Sequence, residues 1–96
     1  MAYISFQPHD YFSTKLFTGD ASSNRGITGL NFQPDWCWFK TRNSRANSHV
    51  WVDAARGVGQ RLRCDSGAAQ ASVSGEFISF DSDGFTVTGG GANELN

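Results

Sequence analysis

Hydrophobic and polar residues alternate along this chain in short runs. Nowhere do apolar residues recur at i, i+3, i+4 and i+7 over more than two turns. The pattern predicts strands separated by Gly, Asn, Asp and Ser turns. Tyr3–Phe6 is the first, closed by Gln7-Pro8. Phe12–Thr18 follows and is stopped by the polar cluster from Gly19 to Asn24. Ile27–Phe32 ends at Pro34-Asp35, where Pro34 biases Gln33 toward extended backbone and its missing N–H opens the next strand. Trp36–Arg42 is the clearest run, with Trp36, Trp38 and Lys40 on one face and Cys37, Phe39 and Thr41 on the other. His49–Asp53 places Val50 and Val52 inward and His49, Trp51 and Asp53 outward, and the Gly-broken stretch 54–59 reads as a turn. Gln60–Cys64 is expected to turn Leu62 and Cys64 inward and Arg61 and Arg63 outward. Glu76–Phe80 and Phe85–Val87 flank Asp81-Ser82-Asp83-Gly84, a hairpin in which Gly84 is expected to supply a positive φ.

Roughly six to eight short strands in a chain of this length predict an all-β fold, a small antiparallel β-sandwich or jelly-roll-like domain. The expected organisation is a leader or attachment segment over residues 1–11, a sandwich over 12–88 and a Gly-rich, flexible tail over 89–96.

Composition changes that picture in two ways. A single domain of 96 residues buries only roughly 60–65% of its unfolded surface, so its own core is adequate rather than generous. Charged residues make up 18% and aromatics 14%, fewer charges than an ordinary soluble domain carries. The surplus apolar surface goes either into a dense core or into contacts with other chains, and both are expected, including homo-oligomer contacts. The net charge of −1 creates no overall field that would attract nucleic acid or a membrane surface. The charges are nevertheless segregated: Lys40, Arg42, Arg45, Arg56, Arg61 and Arg63 face only Asp53 between Trp36 and Cys64, and every charge after Cys64 is acidic. Cross-strand pairing within the domain accounts for this, as does head-to-tail matching between neighbouring copies.

Candidate chemistry is sparse. Cys37 and Cys64 sit in alternating apolar runs, give no disulfide framework and read as buried reduced thiols. Met1–Phe6 has neither a basic start nor a long apolar stretch, so no signal peptide and no membrane span are expected. Asp81-Ser82-Asp83-Gly84 resembles the opening of a calcium loop but lacks its later acidic ligands. His49 and Asp53 lie about 13 Å apart along one strand face, too far for a relay. The chain contains no Cys-x-x-Cys, His-Glu-x-x-His or Gly-x-Ser-x-Gly, and no metal, cofactor or catalytic residue is expected. Trp36, Trp38 and Trp51 are the sharpest feature. They read either as packing anchors or as a sugar-stacking platform, for which Trp51 is the choice because Val50 and Val52 claim the inner face.

Several segments fall in a recognisable order: Phe12 to Gly19, Ile27 to Lys40, Asn47 to Gly57, and Ser79 to Val87. They carry Thr-Gly, then Gly-x-x-Phe-x-Pro-Asp-x-x-Trp-x-Lys from Gly29 to Lys40, then Asp-x-x-Arg-Gly, then Phe-x-Ser-Asp-Gly-Phe. This order resembles an uncharacterised domain family common in virion proteins of tailed phages, including cyanobacterial and marine ones, and covers about residues 11 to 96. The resemblance implies a virion location after synthesis in the bacterial cytoplasm, and no catalytic residues. It implies a tail- or head-fibre or other structural subunit, read here as an appendage. The alternatives are a capsid decoration protein or, if a tryptophan platform is exposed, a carbohydrate-binding module that recognises host surface glycans. The implied partners are portal, tail or capsid proteins. Tyr3, Ile4, Phe6 and Tyr11 are the candidate interface, suited to strand addition onto another virion protein. Arg56 is expected to tie its loop to Asp53 or a neighbouring carboxylate. In the resembled family a further strand follows the Asn-Glu-Leu-Asn-like stretch, so an open edge is expected here.

Overall fold

The clearest alternating runs become strands because one side of each is apolar enough to bury and the other can face water. A computed structural model describes residues 7–42, 48–72, 76–89 and 95. After a 3-10 turn at Pro8–Asp10 come seven strands among the described residues: β1 (Arg25–Ile27), β2 (Trp36–Phe39), β3 (Val50–Asp53), β4 (Gln60–Arg63), β5 (Ala71–Ser72), β6 (Phe77–Asp81) and β7 (Gly84–Val87). They form a three-stranded sheet in the order β1-β7-β6 and a four-stranded sheet in the order β2-β3-β4-β5. Every pairing is antiparallel. The chain is an all-β domain, and its two sheets pack against each other as in a small β-sandwich.

The core lies between the sheets. Ile27, Phe77, Phe85 and Val87 come from the first sheet, Cys37, Phe39, Val50 and Val52 from the second, and Leu30 and Leu95 join them from outside the strands. Phe39 joins the layers, its ring 5.2 Å from Phe85 and 6.0 Å from Phe77, edge-on to both. Such aromatic pairs contribute about 0.5–1.5 kcal/mol beyond the area they bury. A bulge between Phe77 and Ser79 explains how Phe77 and Phe80, three positions apart, both reach this interior, with rings 4.9 Å apart. In a regular strand they would point to opposite faces.

Several expectations are corrected. Leu62 was expected inward and Arg61 and Arg63 outward, but β4 pairs with β3 so that Leu62 lies opposite Trp51 and Arg63 opposite Val50. Directly paired residues share a face, so Leu62 joins the outer side and the arginines the inner one. Arg61 there approaches Glu76, the residue before β6 of the other sheet, at 3.7 Å, so this pair of the segregated charges meets between the sheets rather than across paired strands. Cys64, just past β4, is exposed rather than buried. Phe12–Thr18 forms no strand. Phe17 alone packs on the core, its ring 6.0 Å from Phe85. Arg25 lies over the Phe17 ring and donates to the Thr18 carbonyl.

The run Ile27–Phe32 also breaks early, because Gly29 (φ 90°) and Asn31 (φ 74°) are left-handed. Asp83 holds this curl. Its carboxylate accepts the N–H groups of Gly29 (3.1 Å) and Asn31 (2.7 Å), and its carbonyl accepts that of Leu30 (3.0 Å). The backbone groups that a strand would have paired are thereby satisfied, and Leu30 drops into the core. Gly84 has no positive φ; it is required for close approach, since a Cβ there would sit 1.8 Å from the Ile27 carbonyl oxygen. The tail is not merely a connector: Gly89 donates to the Ser22 carbonyl at 2.9 Å, and Leu95 is buried. Tyr3, Ile4 and Phe6, with the strand expected over Tyr3–Phe6, lie outside the described residues.

Candidate functional site

The outer face of the four-stranded sheet is built by parity. Trp36 pairs with Asp53, Trp38 with Trp51, and Trp51 with Leu62, so all five side chains share the side away from the core. Trp51, the sequence choice for an exposed platform, is only half-exposed because it sits in the second strand between β2 and β4. The more open rings belong to the edge strand, with Trp36 44% and Trp38 56% exposed. Trp51 meets Trp36 at 5.7 Å and Trp38 at 6.2 Å, both edge-to-face, and the two exposed rings stand 6.3 Å apart, tilted by 46°. Trp51 therefore supports the pair. Its indole N–H is buried without a hydrogen-bond partner among the described residues, a cost of about 1–3 kcal/mol that the ring packing must offset.

Trp38 is oriented by a second contact, as its Nε1 donates to His49 Nδ1 at 2.9 Å. That bond requires His49 Nδ1 to be unprotonated. The His49 backbone N–H donates to the Asp65 carboxylate at 3.1 Å, and this bond comes first among the causes that hold Asp65 below the ordinary carboxylate range. The depressed value means the bond is fully kept above that range and is lost as pH falls through the lowered value. His49 and Asp53 thus serve separate neighbours and form no relay.

Beside Trp36 the face turns polar. Arg56 binds back to Asp53 through its backbone N–H (2.7 Å) and its Nε (2.9 Å). Arg56 Nη1 then donates to Gln70 Oε1 at 3.0 Å, and Gln70 Nε2 to Gln60 Oε1 at 3.2 Å. The Asp53–Arg56 tie was legible from their spacing. The two glutamines were not, because Gln70 lies in an Ala- and Ser-rich stretch whose position is set only by β5 pairing with β4.

A second apolar surface lies on the segment after the 3-10 turn, where Tyr11 is 71%, Phe12 67% and Leu16 69% exposed. The carboxylates of the acidic hairpin are engaged within the domain. Asp81 accepts hydrogen bonds from Ser79 and Thr86, Asp83 is engaged with the β1 loop, and no group of three metal-ligating side chains occurs among the described residues.

The thiols differ sharply. Burial pushes Cys37 up to about 12, whereas Cys64 is exposed. At pH 8 a thiol-reactive chromogenic disulfide is expected to label Cys64 promptly and Cys37 only after denaturation. Equal labelling of both in the native protein would contradict the orientation of β2.

The profile of a family described as a domain of unknown function matches residues 7–96. No curated protein and no solved structure matches the chain.

Proposed function

The chain belongs to this family, DUF7483, and on that premise we propose that it is a structural subunit of a tailed-phage particle, a fibre or appendage component that works by oligomerising and attaching to the virion. The observation that carries the reading is the exposure of Tyr11, Phe12 and Leu16 within six residues of chain. Large apolar side chains grouped in this way mark a surface that another protein covers. Phe17, packed on Phe85, fixes the end of this segment to the sandwich, so a partner gripping it would hold the whole domain. The order of sequence segments resembling phage virion proteins supports the particle as the setting.

The reading assigns no catalytic role. Among the described residues with displaced pKa values, one is a thiol pushed to about 12 and the other an exposed, lowered carboxylate. Neither is poised for proton transfer near neutral pH. No helix among the described residues is long and apolar enough to cross a membrane.

The test is amine cross-linking of purified particles, read by mass spectrometry through Lys15, which lies inside the exposed segment. Links from Lys15 to tail or fibre proteins at low copy number are expected. Particles assembled with a Tyr11→Ser, Leu16→Ser variant should contain much less of the protein although its melting temperature is unchanged. Links confined to the major capsid protein at high copy number would replace the appendage with a decoration role, and absence from particles would end the virion reading.

A further inference from the structure

The exposed tryptophans are not explained by attachment through the Tyr11–Leu16 segment, and they lie on a different element. We infer that the outer face of the four-stranded sheet is a carbohydrate-binding surface. On it Trp36 and Trp38 take the apolar C–H faces of sugar rings, while Asp53, Arg56, Gln60 and Gln70 bond to the hydroxyls.

A sugar ring presents two chemistries at once, an apolar face and a rim of hydroxyl groups, and a site for it needs both within a few ångströms. This face supplies them in adjacent rows. Trp36 is the direct cross-strand partner of Asp53, which puts the first polar group about 5 Å, Cβ to Cβ, from the first stacking ring. The rings are held in place before any ligand arrives. Trp51 meets both edge-to-face, and the Trp38–His49 bond occupies the indole N–H while more than half of Trp38 stays exposed. Preorganised aromatic rings lose little conformational entropy on binding.

The polar row is ordered in the same sense. Asp53, Arg56, Gln70 and Gln60 form one continuous chain of hydrogen bonds, so each planar group is already oriented. Capacity is left over: Arg56 Nη2 and Gln60 Nε2 make no hydrogen bond to the described residues, and both are donors to a hydroxyl oxygen.

Charge argues for a neutral or weakly charged glycan. The Asp53–Arg56 pair is balanced at 2.9 Å, and Arg61 and Arg63 lie on the other side of the sheet by the register of β4. A phosphate-rich strand would therefore find few cations here. A purely apolar protein surface would bury the Asp53–Gln60 chain against groups that cannot bond to it.

The experiment uses the intact chain on an array of immobilised neutral and N-acetylated hexose oligosaccharides. Each hit is titrated by intrinsic tryptophan fluorescence. Binding to at least one glycan is expected, with a change in tryptophan emission. Trp36→Ala and Trp38→Ala should each weaken it at least about tenfold, and Gln60→Ala by a smaller factor. All three variants should keep the wild-type melting transition, and Trp38→Phe should retain part of the affinity. Leu16→Ser, on the proposed attachment segment, should bind glycan normally, which keeps this result separate from that reading. Failure to bind any glycan on the array at 100-fold the protein concentration used for a positive-control lectin would overturn the inference. So would binding that survives the Trp36→Ala, Trp38→Ala double variant. Concentration-dependent self-association lost in that double variant would assign the face to a second copy of the chain instead.

Discussion

Gly84→Ala is expected to remove a large part of the domain's stability. The added Cβ would lie 1.8 Å from the Ile27 carbonyl oxygen, 2.9 Å from its carbon and 3.1 Å from the Thr28 Cα. All of these are backbone atoms, so no side chain can rotate away. Relief requires β1 to separate from β7, which would break the Ile27–Phe85 pairing and loosen the loop that Asp83 holds. Overpacking in a core costs about 1–3 kcal/mol when side chains can yield; here at least about 3 kcal/mol is expected, against a total of about 5–15 kcal/mol for a native domain. Each kcal/mol moves the melting temperature of a domain this size by about 4–8 °C. Gly26→Ala is the matched control. It lies on the same strand pair, and its Cβ would meet nothing within 4 Å, so its melting temperature should stay close to wild type. A Gly84→Ala protein that melts with the Gly26→Ala protein would show that the strands do not approach as described.

Phe39→Ala and Trp38→Ala, neighbours in β2, should differ more than any other adjacent pair. Phe39 is 8% exposed and touches both Phe77 and Phe85 across the layers. Its truncation removes the bridge between the sheets and leaves a cavity, a loss of about 3–5 kcal/mol. Chemical denaturation should show a lower midpoint or no cooperative transition at all. Trp38 loses contacts with Trp51 and His49 but vacates a site already open to water, so a change below about 1 kcal/mol is expected. The comparison reads the facing of β2 directly, because a one-residue slip would exchange the two results. It also bears on binding: the variant that damages the proposed glycan face must be the one that leaves the fold intact.

Between these results and the sequence stands a simple division. Where one strand face was plainly apolar, alternation was sufficient. Cys37 and Phe39 against Trp36 and Trp38, and Val50 and Val52 against Trp51, take the sides their order implies. The all-β class followed from the same runs, and so did the hairpin at Ser82-Asp83. The Arg-Gly motif offered Asp53 or a neighbouring carboxylate for Arg56, and Asp53 is the partner. In each case the determining interaction is local, within a strand or across a turn of a few residues.

Where both faces were mixed, alternation had no unique solution. Gln-Arg-Leu-Arg in β4 reads equally well either way up, and only pairing with β3 decided that Leu62 would lie beside Trp51. Phe12–Thr18 has the composition of a strand but pairs with none of the sheet edges, and Phe77 and Phe80 share the interior only because a bulge resets the count.

The sequence by itself determined which residues needed burial and which strands were amphipathic, because these depend on side-chain chemistry repeated at a period of two. Tertiary structure alone decided that Trp36 and Trp38, not Trp51, would stand open, since exposure depends on which strand is at the edge. It also decided that Gln60 and Gln70 would meet Arg56 beside them. That meeting rests on pairings between distant segments, whose energies come from contacts that no local pattern encodes.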